Sequence, residues 1–585
     1  MKKKLLLGWF SIPVLGVLAY LYTFKIGFVW DDYIYIQQQL ASIREFSFFE
    51  GLRKYIYFRP TVTIFSVVDY TIWHRNALGY HITNMIFHLL NSLLVALMAQ
   101  RLILLHDGNS SSFHIPWIAG LLFVLHPVHA ESVNWIEGRT DLICTTFFLL
   151  AVISYIEFRS KKSIAALLAF LIFTIFAMAA KEPGIMVPVV VIAYELVYAK
   201  EKRTAIAVTS LCCLLFGAVV AARSHIIKDL LIPFLAKQSL FELIRMGIVS
   251  YGFYLKKIFW PLPLNLFIGA LPEGNLFFAF SLVSLVSLLV LAVMLIRRYS
   301  LMSFLILWWL ITILPHEVIL LGGSAVTPVA ERYLYLPSVA FSIAVAVFIM
   351  RISGSAIIRW GLVLVLVVFY GVVTFHRTMI WTDEEKLWGD TVKKSPDFAL
   401  PYQWYGNALY QKGKVQDAMD IWRKSLDCPY MTGKGMDVTG VDSKFRKSLL
   451  HTSLALGYIN LDDDETARYH LFQATELFSN YHAYFLLGML ERRAAERENN
   501  EDAKKEHLAR ALVFLDISVQ LNPSFQEAIY FLALTESETG HELEAMDHFK
   551  MALELDPRTP VAIQAALQLN KLRSRAYTPI QPKQD

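Results

Sequence analysis

Residues 357–375 read IIRWGLVLVLVVFYGVVTF, and a few positions later the chain turns to WTDEEKLWGD at 381–390. A helix needs about 20 apolar residues to cross about 30 Å of hydrocarbon, and the first stretch nearly supplies them. The second stretch could not enter a bilayer. This seam divides the sequence into two parts that differ in kind. Residues 1–376 carry 29 Lys+Arg and 18 Asp+Glu, a net +11, whereas residues 377–585 carry 25 and 31, a net −6. Across all 585 residues 56% are hydrophobic and only 18% charged, with a mean hydropathy of +0.46. Soluble domains run near 25% charged, so these figures exclude an ordinary soluble enzyme as well as a disordered chain. Four cysteines cannot build a disulfide framework at this length, and Cys144, Cys212 and Cys213 lie in apolar runs that suit buried thiols.

Ahead of the seam, apolar runs of spanning type recur at 5–24, 80–104, 115–130, 140–158, 163–180, 184–199, 204–222, 275–296, 301–321, 333–350 and 357–375. The expected fold class is therefore all-α: a membrane bundle of about eleven spans over 1–376, with external loops 25–79 and 223–274. Met1-Lys-Lys-Lys opens the first run, but no small-residue cleavage site precedes Asp31, so the run reads as a span and not a leader. With Lys2–Lys4 cytoplasmic, alternation places Arg101, Arg159, Lys161, Lys162, Lys200, Lys202, Arg203, Arg297, Arg298, Arg351 and Arg359 on the same side. An odd number of crossings leaves the acidic region beyond the seam outside. Segments 44–74 and 240–267, broken by charges and prolines, read as external interfacial or re-entrant pieces.

Beyond a linker at 377–397, small residues recur with a fixed rhythm. Ala533, Gly540, Ala545, Phe549 and Ala552 are spaced 7, 5, 4 and 3, and Gly406, Gly413, Ala418, Trp422 and Ser425 repeat that spacing. Ala455, Asp462, Ala467, Leu471 and Ala474 do so again, with aspartate where the others carry a turn glycine. Ala511, Leu515, Ser518 and Pro523 match the later half, and Ala511 to Ala545 spans 34 residues. Such spacing is that of tetratricopeptide repeats, in which small residues let paired helices approach closely. About four repeats are expected over 398–570, with insertions near 428–447 and 494–505 and a tail at 571–585. Repeats of this kind bind polypeptide and hold no catalytic constellation, so any chemistry belongs to the membrane part.

There the charges of the outer face are the candidates, because an ionisable group near the bilayer is costly. Asp31-Asp32 end the first span against Phe28 and Trp30; a carboxylate between aromatic walls and beside a like charge is suited to general-base work, against the plainer reading of an interfacial helix end. Arg139, Lys181 and Arg332 each stand at an external helix end beside an acid. They suit a phosphate, or simple salt bridges to Asp141, Glu182 and Glu331. His126 and His129, with Glu131, offer a divalent-metal spacing, but Pro127 between the histidines counts against it, so no cofactor is firmly expected. No G-x-x-x-x-G-K-[ST] loop occurs, which excludes an ATP-driven pump of that type, and no nucleic-acid partner is indicated. A group transfer on the outer face then needs a donor activated on the membrane.

These residues carry a resemblance. Tyr57-Phe-Arg59-Pro60, His126-Pro-Val-His-Ala-Glu-Ser-Val-Asn-Trp135, Gly138-Arg-Thr-Asp141, Lys181-Glu-Pro-Gly184, Tyr254-Leu-Lys-Lys-Ile-Phe-Trp-Pro261 and Glu331-Arg-Tyr-Leu-Tyr-Leu-Pro337 stand in the order found in one family. The chain resembles the transmembrane and tetratricopeptide-repeat-containing O-mannosyltransferases over essentially residues 1–560. The resemblance implies a fold of GT-C glycosyltransferase type and a polyprenyl-phosphate sugar donor. It also implies an essential acid in the first external loop, the position held by Asp31-Asp32. Arg139, Lys181 and Arg332 would then face the donor phosphate, with Arg59, His126, His129 and Glu131 as further donor or acceptor contacts. The expected reaction is inverting transfer of mannose or another hexose to a Ser or Thr hydroxyl of an exported protein that the repeats recruit. A shorter chain with fewer repeats than the animal members favours a bacterial inner membrane over the endoplasmic reticulum, with the repeats periplasmic. The alternative is an inactive membrane-anchored repeat scaffold for envelope assembly.

Overall fold

The computed structural model describes residues 2–32, 36, 59–107, 113–199, 202–222, 239–322, 327, 329–352, 354–428 and 442–576. Most of the external loops expected at 25–79 and 223–274 before residues 59 and 239, most of the 428–447 insertion and the end of the tail lie outside the described residues. The described chain is helical, and its one β contact is an isolated bridge between Ile268 and Val329. Two compact units are present, one on Met1–Pro396 and one on Asp397–Tyr430 with Thr439–Asp585.

The first unit is built on helices α1 (Lys2–Ala19), α2 (Pro60–Trp73), α3 (Ala77–Asp107), α4 (His114–Leu125), α5 (Ala130–Asn134), α6 (Arg139–Lys161), α7 (Ile164–Met178), α8 (Val187–Tyr198), α9 (Lys202–Ala222), α10 (Leu240–Phe259), α11 (Asn275–Leu295), α12 (Ser300–Gly322), α13 (Ser338–Arg351), α14 (Ala356–Trp381) and α15 (Glu384–Lys394). Every expected run is represented by a helix, but among the described residues only five helices, α3, α6, α11, α12 and α14, are long and apolar enough to cross a membrane. Eleven full crossings are therefore not what the lengths support. The cause is local. Pro127 and Pro183 open short 3-10 turns at Pro127–His129 and Glu182–Met186, and Pro337 caps α13. Proline lacks the N–H that would continue the ladder, so α4 stops after 12 residues, about 18 Å of rise.

Burial sorts the long helices. Of their most apolar stretch, α11 and α14 bury only 11%, against 61% for α3 and 67% for α6 and α12. Side chains such as Leu276 and Ile357 on α11 and α14 stay exposed, as a lipid-facing surface requires. α3, α4, α6 and α13 pack on one another at the centre. Small residues permit the closest crossings: a Cβ on Gly252 of α10 would meet the Ser281 side chain of α11 at 1.9 Å. Residues 377–397 hold the end of α14 and the whole of α15, tied together by Arg377 and Asp390 at 2.7 Å.

The second unit is a run of hairpins: α16 (Ala399–Gln411) with α17 (Val415–Asp427), α18 (Asp442–Asn460) with α19 (Asp464–Leu477), α20 (Tyr481–Arg497) with α21 (Glu501–Leu521), and α22 (Gln526–Glu538) with α23 (Glu542–Leu555). A final α24 (Pro560–Ala576) follows, and each helix packs on its chain neighbours. The small-residue rhythm is the packing code: Ala418, Ala455, Ala467, Ala474, Ala511, Ala533, Ala545 and Ala552 are all fully buried. The turn positions are left-handed, Gly413 at φ 77°, Gly540 at φ 87° and Asp462 at φ 58°. Aspartate is among the few residues that enter that region without a large penalty. The three turns also close alike, with Lys414, Asp463 and His541 N–H groups donating to the carbonyls of Leu409, Tyr458 and Glu536 at 3.0, 3.0 and 2.8 Å. The extra residues near 494–505 lengthen helices: α20 and α21 have 17 and 21 residues where α22 and α23 have 13 and 14.

Candidate active site

The polar motifs of the first unit sit where its apolar helices stop. Glu137 lies on a 3-10 turn, Ile136–Gly138; Glu182 on another, Glu182–Met186; Glu331 and Arg332 on a third, Glu331–Leu334. These short turns bring together Asp31, Asp32, Arg59, Glu131, Glu137, Arg139, Asp141, Lys181, Glu182 and Arg332.

Every cation has an acid, though not the one beside it in the sequence. Arg139 binds Asp69 at 2.9 Å, Lys181 reaches both oxygens of Asp141 at 2.7 Å, and Arg59 meets Glu182 at 2.9 Å. Arg332 pairs with Glu131 through its guanidinium and its backbone N–H, the latter at 3.1 Å. Glu331 is taken by Lys257 at 2.9 Å. Each pair joins different elements. Arg139, Lys181 and Arg332 are 1%, 4% and 8% exposed, so these pairs are dry and depend on geometry for their stability. Burial, with Arg59 and Arg332 close by, pushes the Lys181 ammonium below the ordinary lysine range against the pull of Asp141. Burial likewise raises Glu131, with Arg332 opposing.

Aromatic rings fill the gaps between charges. The Tyr333 ring lies 5.6 Å from Lys181 Nζ and 4.9 Å from the Arg332 guanidinium carbon, while Arg332 also stands 5.2 Å over Trp135. His316 stacks on Tyr333 at 4.2 Å. Two of the three N–H donors of Lys181 are used on Asp141.

The two adjacent aspartates are unlike. Asp32 is fully buried, and its oxygens accept the backbone N–H groups of Val29 at 3.0 Å and Glu137 at 3.3 Å. It closes a turn. Asp31 is half-buried, and its Oδ1 has no hydrogen-bond partner among the described residues. Burial raises the Asp31 carboxyl to about 6, with Arg332 opposing, and raises Asp32 well above the carboxylate range, its neighbour Asp31 adding to the effect.

His126 and His129 go elsewhere. His126 Nε2 faces the Ile258 carbonyl at 3.1 Å while its Nδ1 accepts the Val128 N–H at 3.4 Å, and His129 Nε2 contacts Ser338 Oγ at 2.7 Å. The His126 ring packs with Phe341 and Tyr370, and the His129 ring with Phe123 and Tyr335. They are packing residues. Of the His-x-x-His-x-Glu motif only Glu131 joins the charges. Among the described residues no group of three or more His, Cys, Asp or Glu is arranged to hold a metal ion. Asp69 and Glu137, which the sequence marks among the outer-face charges without assigning them a role, belong to the cluster.

No family model matches the chain. A protein O-mannosyl-transferase of Caenorhabditis elegans is 25% identical over 382 residues, 62% of this chain and 52% of the relative. The human protein O-mannosyl-transferase TMTC3 is 25% identical over 414 residues, covering 62% of this chain and 43% of its own length. A shorter match, 33% over 144 residues, links the chain to human TMTC4. The chain thus spans about half the length of the curated relatives it matches. Among solved structures, MamA is 19% identical over 29% of this chain and 85% of its own, with a TM-score of 0.22, and the Cut9–Hcn1 hetero-tetramer is 13% identical over 93% and 96%, with a TM-score of 0.26. Those superpositions are too loose to add to the helix pairing described above. By sequence, the chain resembles the transmembrane and tetratricopeptide-repeat O-mannosyl-transferases, the family that the motifs around Glu131, Arg139, Lys181 and Arg332 point to.

Proposed function

We propose that the chain is an integral-membrane glycosyltransferase that moves mannose or another hexose from a polyprenyl-phosphate donor to a Ser or Thr hydroxyl of a protein, with inversion, at the external face. The observation that carries this is Asp31: a carboxylate with a buried oxygen that has no hydrogen-bond partner among the described residues and a raised pKa, set beside buried cations. A base poised near 6 holds a proton well enough to take one, yet is ionised at neutral pH. Asp31 removes the hydroxyl proton as that oxygen attacks the anomeric carbon. A new C–O bond forms, the anomeric C–O bond to phosphate breaks, and the electron pair leaves with the lipid phosphate.

Lys181 and Arg332 are the donors we assign to that phosphate. They share the Tyr333 ring, and Lys181 keeps a third N–H. Arg139 is bound to Asp69 and to the carbonyls of Ile136 and Tyr80, which suits it to hold the site's shape. Arg59, through Glu182, supports the same turn as Lys181. The lipid-facing surfaces of α11 and α14 suit a bilayer setting, with the bacterial inner membrane as the proposed one, and the repeats would recruit the acceptor protein, raising its local concentration. The test is transfer from synthetic polyprenyl-phosphate mannose to Ser/Thr peptides by purified protein, with Asp31→Asn and Asp32→Asn assayed singly. Full activity in Asp31→Asn would sink the assignment of the base. A folded, stable protein that transfers from no mannose, glucose or N-acetylhexosamine donor would favour the scaffold alternative.

A further inference from the structure

Trp30, the residue that leads into Asp31, has φ 60°. A bulky side chain in the left-handed region is strained and persists only where its surroundings over-determine it. Here they do. The Trp30 ring stacks on Trp135 at 5.1 Å and 21°, and the Trp388 ring meets its edge at 5.8 Å and 89°. Its backbone N–H donates to Glu384 Oε1 at 3.3 Å.

Glu384 and Trp388 both lie on α15, the last helix before the repeats in the chain. That helix is well anchored. Asp383 caps it by accepting the N–H groups of Glu385 and Lys386, which fixes where Glu384 stands. At its far end Lys394 donates to the Leu264 carbonyl at 2.7 Å, and Ser395 to the Phe267 carbonyl at 2.7 Å. The Asn265 N–H in turn donates to Glu331, next to Arg332, at 2.9 Å. So α15 grips the Val29–Asp32 turn from outside while Asp32 closes it from within.

We propose that Glu384 and Trp388 are positioning residues for Asp31, holding the strained Trp30 peptide so that the carboxylate meets the acceptor hydroxyl. This rests on Asp31 being the base. The experiment compares full-length wild type, Glu384→Ala, Glu384→Gln and Trp388→Phe for kcat, donor KM and the near-ultraviolet circular dichroism of the Trp30–Trp135 stack. Glu384→Ala should lose about tenfold in kcat with donor KM within about twofold, and should lose the tryptophan dichroism signal. Glu384→Gln should recover both, because its amide oxygen accepts the same N–H. Trp388→Phe should fall between. Unchanged kcat and dichroism in Glu384→Ala would overturn the proposal, as would a Glu384→Gln enzyme as slow as the alanine variant, since charge and not the hydrogen bond would then matter. A wild type that transfers nothing would overturn the glycosyltransferase assignment instead, while the dichroism still decides whether Glu384 holds the turn.

Discussion

The two units use the same ion-pair chemistry in opposite settings. In the first, Lys181–Asp141, Arg139–Asp69 and Arg332–Glu131 are buried pairs between elements that the chain brings together from far apart. In the second, Arg497–Asp464 and Arg510–Glu506 lie at the surface, their arginines 58% and 43% exposed. Among the described residues the repeats also bury charges, namely Glu491, 1% exposed and ringed by Arg468, His507 and Arg510 of neighbouring helices, and Arg492, 5% exposed and paired with Glu538. Surface pairs contribute about 0–1 kcal/mol each. Buried pairs rarely stabilise more than apolar residues would, so their number in the first unit is not explained by stability alone. The contrast is the one expected if the proposed chemistry belongs to the first unit and the second holds a shape.

The largest test breaks one buried pair. Asp141→Ala leaves the Lys181 ammonium uncompensated and should destabilise the first unit by about 3–5 kcal/mol, read as a lower melting temperature in detergent. The double variant Asp141→Leu with Lys181→Met should regain most of that stability and still fail to transfer sugar. Next comes Asp31→Asn, expected to lower the transfer rate by about a hundredfold or more, about 2.7 kcal/mol, with melting unchanged. In the repeats the vulnerable feature is close packing and not charge. A Cβ on Gly406 would stand 2.4 Å from Trp422 Nε1, so Gly406→Ala should cost about 1–3 kcal/mol in thermal unfolding.

The pH dependence follows from Asp31. Its carboxyl sits near 6, and the base must be ionised, so transfer should be fully present above that value. It should fall about tenfold per pH unit below it, with the same slope absent in Asp31→Asn. The smallest effect belongs to the surface: Arg497→Ala should change stability by less than about 0.5 kcal/mol, and added salt should erase even that.

How much of this is legible in the sequence differs between the units. In the repeats, the spacing of Ala, Gly and Trp anticipates most of the packing, because each helix meets chiefly its chain neighbours; even the left-handed Asp462 follows from its alignment with Gly413 and Gly540. In the first unit the sequence marks the charged residues but not who meets whom. Arg139, Lys181 and Arg332 pass over the acids beside them, because side chains one or two places apart on a turn point apart while helix ends converge in space. The roles of Trp30 and Glu384 are invisible for the same reason, being 354 positions apart. Helix lengths mislead in the other direction: an apolar run tells how long a helix is permitted to be, and a proline at its edge decides where it stops.

The cross-linked charges also set an order for assembly. A chain leaving the ribosome presents Asp69 before Arg139, so that pair can close early; Asp141 must wait a further 40 residues for Lys181. Glu131 waits 201 residues for Arg332, with most of the membrane helices still to be made. Throughout that interval a carboxyl destined for the dry interior has no partner, so it must stay protonated or wetted until the turn at Glu331–Leu334 arrives. The cluster thus closes only once Arg332 has been made. A chain stalled or cut before residue 331 would hold most of its apolar helices and still lack the partner of Glu131.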